Sequence, residues 1–259
     1  MSYSLPLISV IMPAYNCSGF ISASIASALN QTYQNIELII IDDCSTDGTD
    51  MVIQAYKDRD FRIKALKNEQ NIGVAFTRNR GFAAALGEYI ALLDSDDIWH
   101  PEKLELQLSF MKANHLDLCY TAYSFISETG TPLGQAYFVP IKLNLEHLLR
   151  ENVIGCSTVL VKTDIVKSIP MRKEYAHEDY VFWIELLQRG ARAAGLNKVL
   201  MDYRIVSSSR SANKLKSAKN RWRIYRLLLH MNLFQASGLF VSYALHGLVK
   251  YIRHIMPAR

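Results

Sequence analysis

The strongest constraint on the fold is a repeated pattern of short apolar runs that stop abruptly at polar residues. Runs of this kind occupy 7–12, 37–41 and 89–93, an alternating run occupies 61–66, and helical patterns separate them. A continuous apolar run is typical of a strand that is buried on both faces. Strands that alternate with helices predict an α/β protein with a doubly wound, mostly parallel sheet flanked by helices.

The polar breaks predict where a ligand would bind. The three continuous runs are followed by Pro13-Ala14-Tyr15-Asn16, by Asp42-Asp43 and by Asp94-Ser95-Asp96-Asp97. Ligands of parallel α/β sheets bind beyond the carboxyl ends of the strands. We therefore expect the three breaks to meet in one crevice.

The acidic break at 94–97 is the most informative of the three. It places three carboxylates within four residues, and these would repel one another without a nearby positive charge. Mg²⁺ and Mn²⁺ prefer oxygen ligands and usually take one or two carboxylates together with substrate phosphates. The alternative is a polar loop in which Asp97 caps a helix that begins near Pro101.

The sequence lacks the signature motifs of other nucleotide-binding classes. No Gly-x-Gly-x-x-Gly follows the first strand and no P-loop is present, which argues against a dinucleotide fold and an ordinary NTPase. The four cysteines have no paired metal-ligand spacing and favour a reducing compartment. No secretory pattern begins the sequence, so we expect a cytoplasmic protein.

Several ordered motifs resemble glycosyltransferase family 2. They are Ile8 to Asn16, Gln31-Thr32-Tyr33, Glu37 to Asp43, Ser45 to Thr49, Asn71-Ile72-Gly73, Thr77-Arg78-Asn79, and Gly87-Glu88-Tyr89-Ile90 leading to Asp94-Ser95-Asp96-Asp97. The resemblance covers roughly residues 7–205. It implies a GT-A fold, a nucleotide-sugar donor, a divalent cation (Mn²⁺ or Mg²⁺) and inversion at the anomeric carbon.

The resemblance also implies roles for individual residues. Pro13, Ala14 and Tyr15 would frame the base and ribose, and Asp43 would accept a hydrogen bond from a uracil imide, which favours a UDP-sugar. Tyr15 would otherwise pack on the next helix.

Further along the chain, Asn71 and Arg78 would lie along the nucleotide, although Arg78 is also compatible with a solvated helix charge. Asp94 and Ser95 would contact the ribose or sugar, Asp96 would ligate the metal, and Asp97 would cap or brace the turn.

The second half of the chain offers one further acidic site, His177-Glu178-Asp179-Tyr180. Acidic residues are favoured at a helix start by the helix dipole, so this site is compatible with a simple helix terminus. The family resemblance instead implies that Asp179 is the catalytic base. Inverting transfer needs one carboxylate to take the proton from the attacking hydroxyl.

The C-terminal part differs in charge from the rest. Residues 203–259 contain 11 Lys and Arg and no Asp or Glu, whereas 1–202 contain 18 basic and 24 acidic residues. Residues 227–249 carry no formal charge but are interrupted by polar side chains. This combination predicts an amphipathic element on an anionic membrane surface. The alternative is a helical hairpin that packs on the protein or forms a homodimer, and nucleic acid is the least favoured partner.

We expect a catalytic domain at 1–205, with a nucleotide-sugar half at about 1–100 and an acceptor half at 101–205, and a helical tail at 206–259. Processive synthases of the family carry Gln-x-x-Arg-Trp, but here Ala218 precedes Arg221-Trp222, which favours a single addition. The predicted function is sugar transfer to a lipid-linked saccharide of a bacterial surface polysaccharide, such as O-antigen, at the inner face of the cell membrane. The alternatives are a nucleotidyltransferase and an inactive nucleotide-sugar-binding scaffold.

Overall fold

The first half of the chain forms the predicted parallel sheet. The computed structural model describes residues 5–175, 177–206 and 214–254. Its first elements are β1 (Ile8–Ala14), α1 (Ile21–Leu29), β2 (Ile36–Asp42), α2 (Thr49–Lys57), β3 (Ile63–Lys67), α3 (Val74–Ala84) and β4 (Tyr89–Leu92). The strands are parallel in the order β3-β2-β1-β4. Every residue of β1 and β2 is buried.

Strand β1 does not stop at Pro13, as its sequence predicts, but continues to Ala14. The carbonyl of Ile11 accepts from Leu93 on the β4 side, and the carbonyl of Ala14 accepts from Asp43 on the β2 side. Since backbone groups alternate between the two sides, Pro13 faces β4. Pairing with β4 ends at Ile11 and Leu92, so the missing N–H of Pro13 breaks no ladder.

Helix α3 approaches the sheet closely because Gly81 faces it. A Cβ at Gly81 would lie 2.5 Å from Cγ2 of Ile11, a contact that no ordinary side chain tolerates. Arg78 lies one turn earlier on the same face. The close packing of α3 therefore carries a buried guanidinium beneath the carboxyl ends of the strands.

The second half extends the same sheet. Its elements are β5 (Ile98–Trp99), α4 (Lys103–Ala113), β6 (Leu118–Ile126), β7 (Pro132–Tyr137), α5 (Leu145–Arg150), β8 (Leu160–Lys162), α6 (Thr163–Lys167), α7 (Glu178–Gln188) and β9 (Ala193–Arg204). The order continues β4-β8-β6-β9-β5, and β7 pairs with β6. Among the described residues this gives a nine-stranded mixed sheet, since β8 is antiparallel to both β4 and β6.

Three expectations for this half need correction. The sequence of 157–161 favours a strand, but the strand itself begins at Leu160, after a 3₁₀ turn at Cys156–Thr158. Strand β9 was not predicted, because shifts in its register with β6 disrupt any regular alternation. Helix α4 begins at Lys103 without a side-chain cap, so Asp97 does not cap it.

Helices make up most of the described part of the tail. It comprises α8 (Lys214–Arg223), a π-helical turn (Ile224–Leu228) and α9 (Leu233–His254). Tyr225 is fully buried and donates its hydroxyl to the carbonyl of Leu149 in α5, at 2.6 Å. No helix within 5–175, 177–206 and 214–254 is long and apolar enough to cross a membrane. Residues 207–213 of the predicted tail and its last five residues lie outside the described residues.

Candidate active site

The loops after β1 and β2 are joined to each other by hydrogen bonds. Asn16, at a positive φ of 46°, donates its backbone N–H to Oγ of Ser45 (3.0 Å), and its side-chain oxygen accepts from the N–H of Thr46 (2.8 Å). Pro13 and Ala14 are buried beside this junction, whereas Tyr15 is 51 % exposed. Tyr15 therefore presents much of its ring to solvent at the end of β1, and the alternative that it simply packs on the next helix is not supported.

Asp43 fixes the loop that precedes α3. Its Oδ1 accepts from Nδ2 of Asn68 (2.7 Å) and from the N–H of Ile72 (3.0 Å), and its Oδ2 accepts from the N–H of Gly73 (2.9 Å). Gly73 has a φ of +85°, which favours glycine. The loop so held exposes Asn71. Asp43 and Asn71 thus lie in one connected unit.

The acidic turn after β4 contains one buried and two partly exposed carboxylates. Asp94 and Asp96 are partly exposed, but Asp97 is buried and accepts from Oγ of Ser157 (2.5 Å) and from the N–H of Arg204 (3.1 Å). Burial, followed by the charges of Asp96 and Asp94, raises the pKa of Asp97 well above its usual range. A raised pKa favours the neutral form of Asp97, which reduces the charge repulsion within the turn. Asp97 also braces the turn through its two hydrogen bonds.

Ser157 and Arg204 complete the acidic turn and were missed by the sequence analysis. Ser157 accepts from the N–H of Asp94 (3.0 Å) as well as donating to Asp97. The guanidinium of Arg204 donates from Nε to the carbonyl of Asp96 (2.8 Å). They lie 60 and 107 residues from Asp97 along the chain, so no local pattern indicates them.

Arg78 joins the acidic turn to the start of α7. Its side chain is 2 % exposed; one Nη donates to Oδ1 of Asp94 (2.6 Å) and the other to Oε1 of Glu178 (2.9 Å). The alternative of a solvated helix charge is therefore wrong. Its predicted contact with a nucleotide stays a prediction. Glu178 is the third residue that sequence reasoning did not assign to the site, although its place beside Asp179 in an acidic helix start was a usable signal.

Asp179 lies at the start of α7, immediately after Glu178. It is partly exposed, and Oδ1 accepts from the N–H of Tyr180 (2.8 Å). Desolvation, reinforced by the charge of Glu178 and opposed by Arg78, raises the pKa of Asp179 to about 6. A carboxylate with this pKa is a stronger base than an ordinary Asp and is still mostly ionised at neutral pH, which suits proton abstraction.

The donor set near the acidic turn suits a cation that takes most of its ligands from substrate. No three His, Cys, Asp or Glu side chains in the described part of the chain converge as a metal cage. Asp97 is buried and held by Ser157 and Arg204, so the partly exposed Asp94 and Asp96 are the carboxylates of the turn that could reach such a cation. One protein carboxylate with phosphate and water oxygens is a usual arrangement for Mg²⁺ or Mn²⁺.

The architecture is that of a glycosyltransferase with the GT-A fold. It is similar to the crystal structure of residues 1–349 of S. aureus TarS in complex with UDP-GlcNAc, with a TM-score of 0.73 and 21 % identity. That match covers 92 % of this chain and 71 % of the TarS chain. At this identity the similarity supports the fold, and it confirms the α/β, mostly parallel arrangement expected from the sequence.

The chain belongs to glycosyl transferase family 2, whose model matches residues 9–178. A Bacillus subtilis protein named as a teichuronic acid biosynthesis glycosyltransferase, TuaG, is 39 % identical over 95 % of this chain and 97 % of its own. The Escherichia coli enzyme WfgD, named UDP-Glc:alpha-D-GlcNAc-diphosphoundecaprenol beta-1,3-glucosyltransferase, is also 39 % identical, over 84 % of this chain and 85 % of its own. The predicted glycosyltransferase activity is thereby confirmed.

Proposed function

We propose that this glycosyltransferase moves one sugar from a UDP-sugar to a hydroxyl of a lipid-linked saccharide, with inversion at the anomeric carbon. The observation that carries the proposal is the Arg78 bridge, which brings the helix start bearing Asp179 to the carboxylates at the end of β4. The name of the E. coli relative supports UDP-glucose as the first donor to test and a GlcNAc-diphospho-lipid as the first acceptor. Synthesis of a surface polysaccharide such as O-antigen is the process to which this chemistry belongs.

The nucleotide would lie along the joined loops after β1 and β2. Tyr15 offers an exposed ring, Pro13 and Ala14 are buried just before it in the chain, and Asn71 is exposed on the adjoining loop. The Asp43 carboxylate has lone pairs beyond the three protein hydrogen bonds that orient it. It would accept from the imide N–H that uracil presents.

The sugar and diphosphate would lie over the acidic turn. Asp94 and Ser95 would contact the ribose or sugar, and Asp96 would hold a divalent cation that offsets the negative charge of the leaving diphosphate. Asp179 would take the proton from the acceptor hydroxyl as that oxygen attacks from the face opposite the nucleotide. A covalent intermediate is not needed, so a second carboxylate nucleophile is not required.

The direct test is transfer from a panel of UDP-, TDP- and GDP-sugars to a GlcNAc-diphospho-lipid with a short alkyl chain. We expect product with a UDP-sugar and a matching rise in the melting temperature on donor binding. Binding of a UDP-sugar without transfer to any acceptor would favour the scaffold alternative. Release of diphosphate from a nucleoside triphosphate and a sugar phosphate would favour a nucleotidyltransferase.

Asp96 provides a prediction about metal dependence. Asp96→Asn, like treatment with EDTA, is expected to lower transfer at least about 100-fold, because charge on the leaving diphosphate would lose its main compensation. Mn²⁺ binding in the presence of UDP, followed by electron paramagnetic resonance, should weaken in parallel. Asp164→Asn, an exposed carboxylate at the start of α6, is the matched control and should change neither. Unaltered Mn²⁺ binding by Asp96→Asn would show that the metal is held elsewhere.

We further propose that the tail binds an anionic lipid surface through one face of α9. Phe234, Val241 and Leu245 are 89 %, 58 % and 57 % exposed and recur at helical spacing, so they form one apolar stripe. Ala236 on the opposite side is fully buried. Positive charge favours a lipid surface as the occupant, because residues 203–259 contain no acidic residue and exposed Lys219 and Arg223 lie on the neighbouring α8.

The first part of the tail packs against the preceding domain. The π-helical turn is buried against α5 through Tyr225. Deleting 214–259 would therefore expose buried side chains of the protein, and it would not test lipid binding by itself. The two predictions for the tail thus concern different faces: α8 and the π-helical turn pack on the protein, and the exposed α9 stripe is the face proposed for the lipid surface.

Membrane association is tested by changing the stripe alone. Combined Phe234→Gln, Val241→Gln and Leu245→Gln should lower binding to phosphatidylglycerol vesicles about tenfold or more, since each buried apolar side chain contributes roughly 1.5–3 kcal/mol. Flotation in a sucrose gradient measures this. Phe61→Gln is the control, because Phe61 is also an exposed apolar side chain, at 97 %, but lies next to β3 and outside the α9 stripe. A stripe variant that floats normally would exclude this face, and a halved mass in solution would show that a second copy covers it.

A further inference from the structure

One buried cation of the tail lies between the helix of the candidate base and the helix of the apolar stripe. Arg221, in α8, is 4 % exposed. Its guanidinium carbon lies 3.5 Å from the ring centroid of Tyr180 and 4.7 Å from that of Tyr243. Tyr180 follows Asp179 in α7, and Tyr243 belongs to α9. A single side chain therefore contacts both helices.

The chemistry of Arg221 is unusual for a residue that serves stability alone. Its Nε and Nη1 atoms are buried, and neither has a hydrogen-bond partner among the described residues. Burial of such donors without an acceptor is unfavourable. The attraction to aromatic faces, roughly 2 kcal/mol when desolvated, offsets part of this cost. The position of Arg221 consequently depends on where the two rings lie and on its hydrogen bonding with the side chains of Tyr180 and Tyr225.

The start of α7 is held from two sides. Glu178 is fixed by Arg78 of α3, and Tyr180 is fixed by Arg221 of α8. Asp179 lies between them, and the hydrogen bond to its side chain comes from its own helical turn, from the N–H of Tyr180. The direction of its carboxylate thus follows the placement of this first turn.

Tyr243 lies on the side of α9 opposite the apolar stripe. It is two residues from Val241, which places the two side chains about 200° apart around the helix. Phe240 packs edge-on against Trp222 of α8 and contacts Tyr243. A lipid surface that fixes the stripe would consequently also fix the aromatic side of α9 against Arg221.

We infer that Arg221 is a positioning residue that couples lipid binding by α9 to the placement of Asp179, so that transfer is faster on an anionic surface than in solution. This inference rests on the proposed function. Arg221 contacts the rings of Tyr180 and Tyr243. It would therefore act on Asp179 through Tyr180. The ligand is the lipid surface itself, bound at the stripe.

The experiment uses the full chain, a water-soluble acceptor and a UDP-sugar, with and without vesicles. A soluble acceptor removes any gain from concentrating a lipid-linked acceptor on the vesicle. We expect phosphatidylglycerol vesicles to raise kcat of the unsubstituted protein about three- to tenfold with little change in the donor KM, and phosphatidylcholine vesicles to have no such effect. Arg221→Met should lower kcat and remove the stimulation, Arg221→Lys should retain part of it, and Arg59→Met, an exposed arginine beyond α2, should behave as the unsubstituted protein.

A second pair of variants keeps the test decisive if Arg221→Met fails to fold. Tyr243→Phe retains the ring face and should keep the stimulation, whereas Tyr243→Leu should lose it while still floating with vesicles. If these residues have only a structural role, the substitutions would lower the melting temperature but leave the ratio of kcat with and without vesicles unchanged. That result would overturn the inference. Vesicle binding without stimulation of the unsubstituted protein would also overturn it, but would leave the proposed function intact. Absence of transfer under every condition would instead refute the proposed function.

Discussion

Replacing Asp179 by Asn is expected to lower the transfer rate about 10²- to 10⁴-fold while leaving donor binding unchanged. This is the usual contribution of a general base, and Asn keeps the size and the hydrogen bond from Tyr180 but does not take a proton. Single-turnover transfer and UDP-sugar binding by calorimetry measure the two quantities separately. Glu174→Gln, an exposed carboxyl just before α7, is the control. A normal transfer rate in Asp179→Asn would assign the base to another group.

The pH dependence of the reaction should show the same group. Because the pKa of Asp179 is raised to about 6, its ionised form predominates only above that pH. The value of kcat/KM should therefore rise tenfold per pH unit below about 6 and level off above it, since kcat/KM reports the free enzyme. The Asp179→Asn variant should lose this acidic limb.

The same substitution should stabilise the protein at neutral pH. A carboxyl whose folded-state pKa is raised favours folding below its unfolded pKa, and this contribution is lost as the pH rises through about 6. Asp179→Asn should thus raise the free energy of unfolding by about 1–3 kcal/mol at pH 7.5. The difference should shrink towards pH 4, and urea unfolding at the two pH values measures it. Equal stability at pH 7.5 would mean that the carboxylate is well solvated.

The second large effect is expected for stability at Arg78. Arg78→Met should lower the free energy of unfolding by about 3–5 kcal/mol, because Asp94 and the buried Glu178 would lose their shared cation. For a chain of this size this corresponds to a melting temperature lower by roughly 2–4 °C for each kcal/mol. Chemical unfolding followed by circular dichroism is the measurement.

Two further variants separate this effect from a general loss of charge. Adding Glu178→Gln to Arg78→Met should recover part of the stability, because the orphaned buried carboxylate is then neutral. Arg150→Met breaks an exposed ion pair with Glu146, whose side chains are 55 % and 68 % exposed, and should change stability by less than about 1 kcal/mol. Equal effects of Arg78→Met and Arg150→Met would contradict the role given to the buried bridge.

The local features of the fold could be predicted from the sequence, and the partners across the sheet could not. Apolar runs ending in Asp42 and Asp94 placed β2 and β4 correctly, because a buried parallel strand has a local signature. Strand β9 has none, since its bulged register with β6 mixes polar and apolar positions.

The candidate site divides in the same way. Asp96 and Asp179 were indicated by acidic clusters and by the family resemblance, and their roles remain predictions. Ser157 and Arg204 hold the acidic turn from distant parts of the chain, and a serine or an arginine has no local pattern that would distinguish it. The pairing of Arg78 with Glu178 spans 100 residues, and only the folded arrangement reveals it.

The bracing of Asp97 by Ser157 and Arg204 limits how the two halves of such enzymes can be recombined. A chimera that joins residues 1–100 of this protein to the second half of a relative would keep the acidic turn but exchange both of its supports. Unless the incoming segment supplies a hydroxyl and a backbone N–H at the same places, Asp97 would be a buried carboxyl without donors. Grafts meant to exchange acceptor specificity should therefore retain Ser157 and the end of β9 together with the turn.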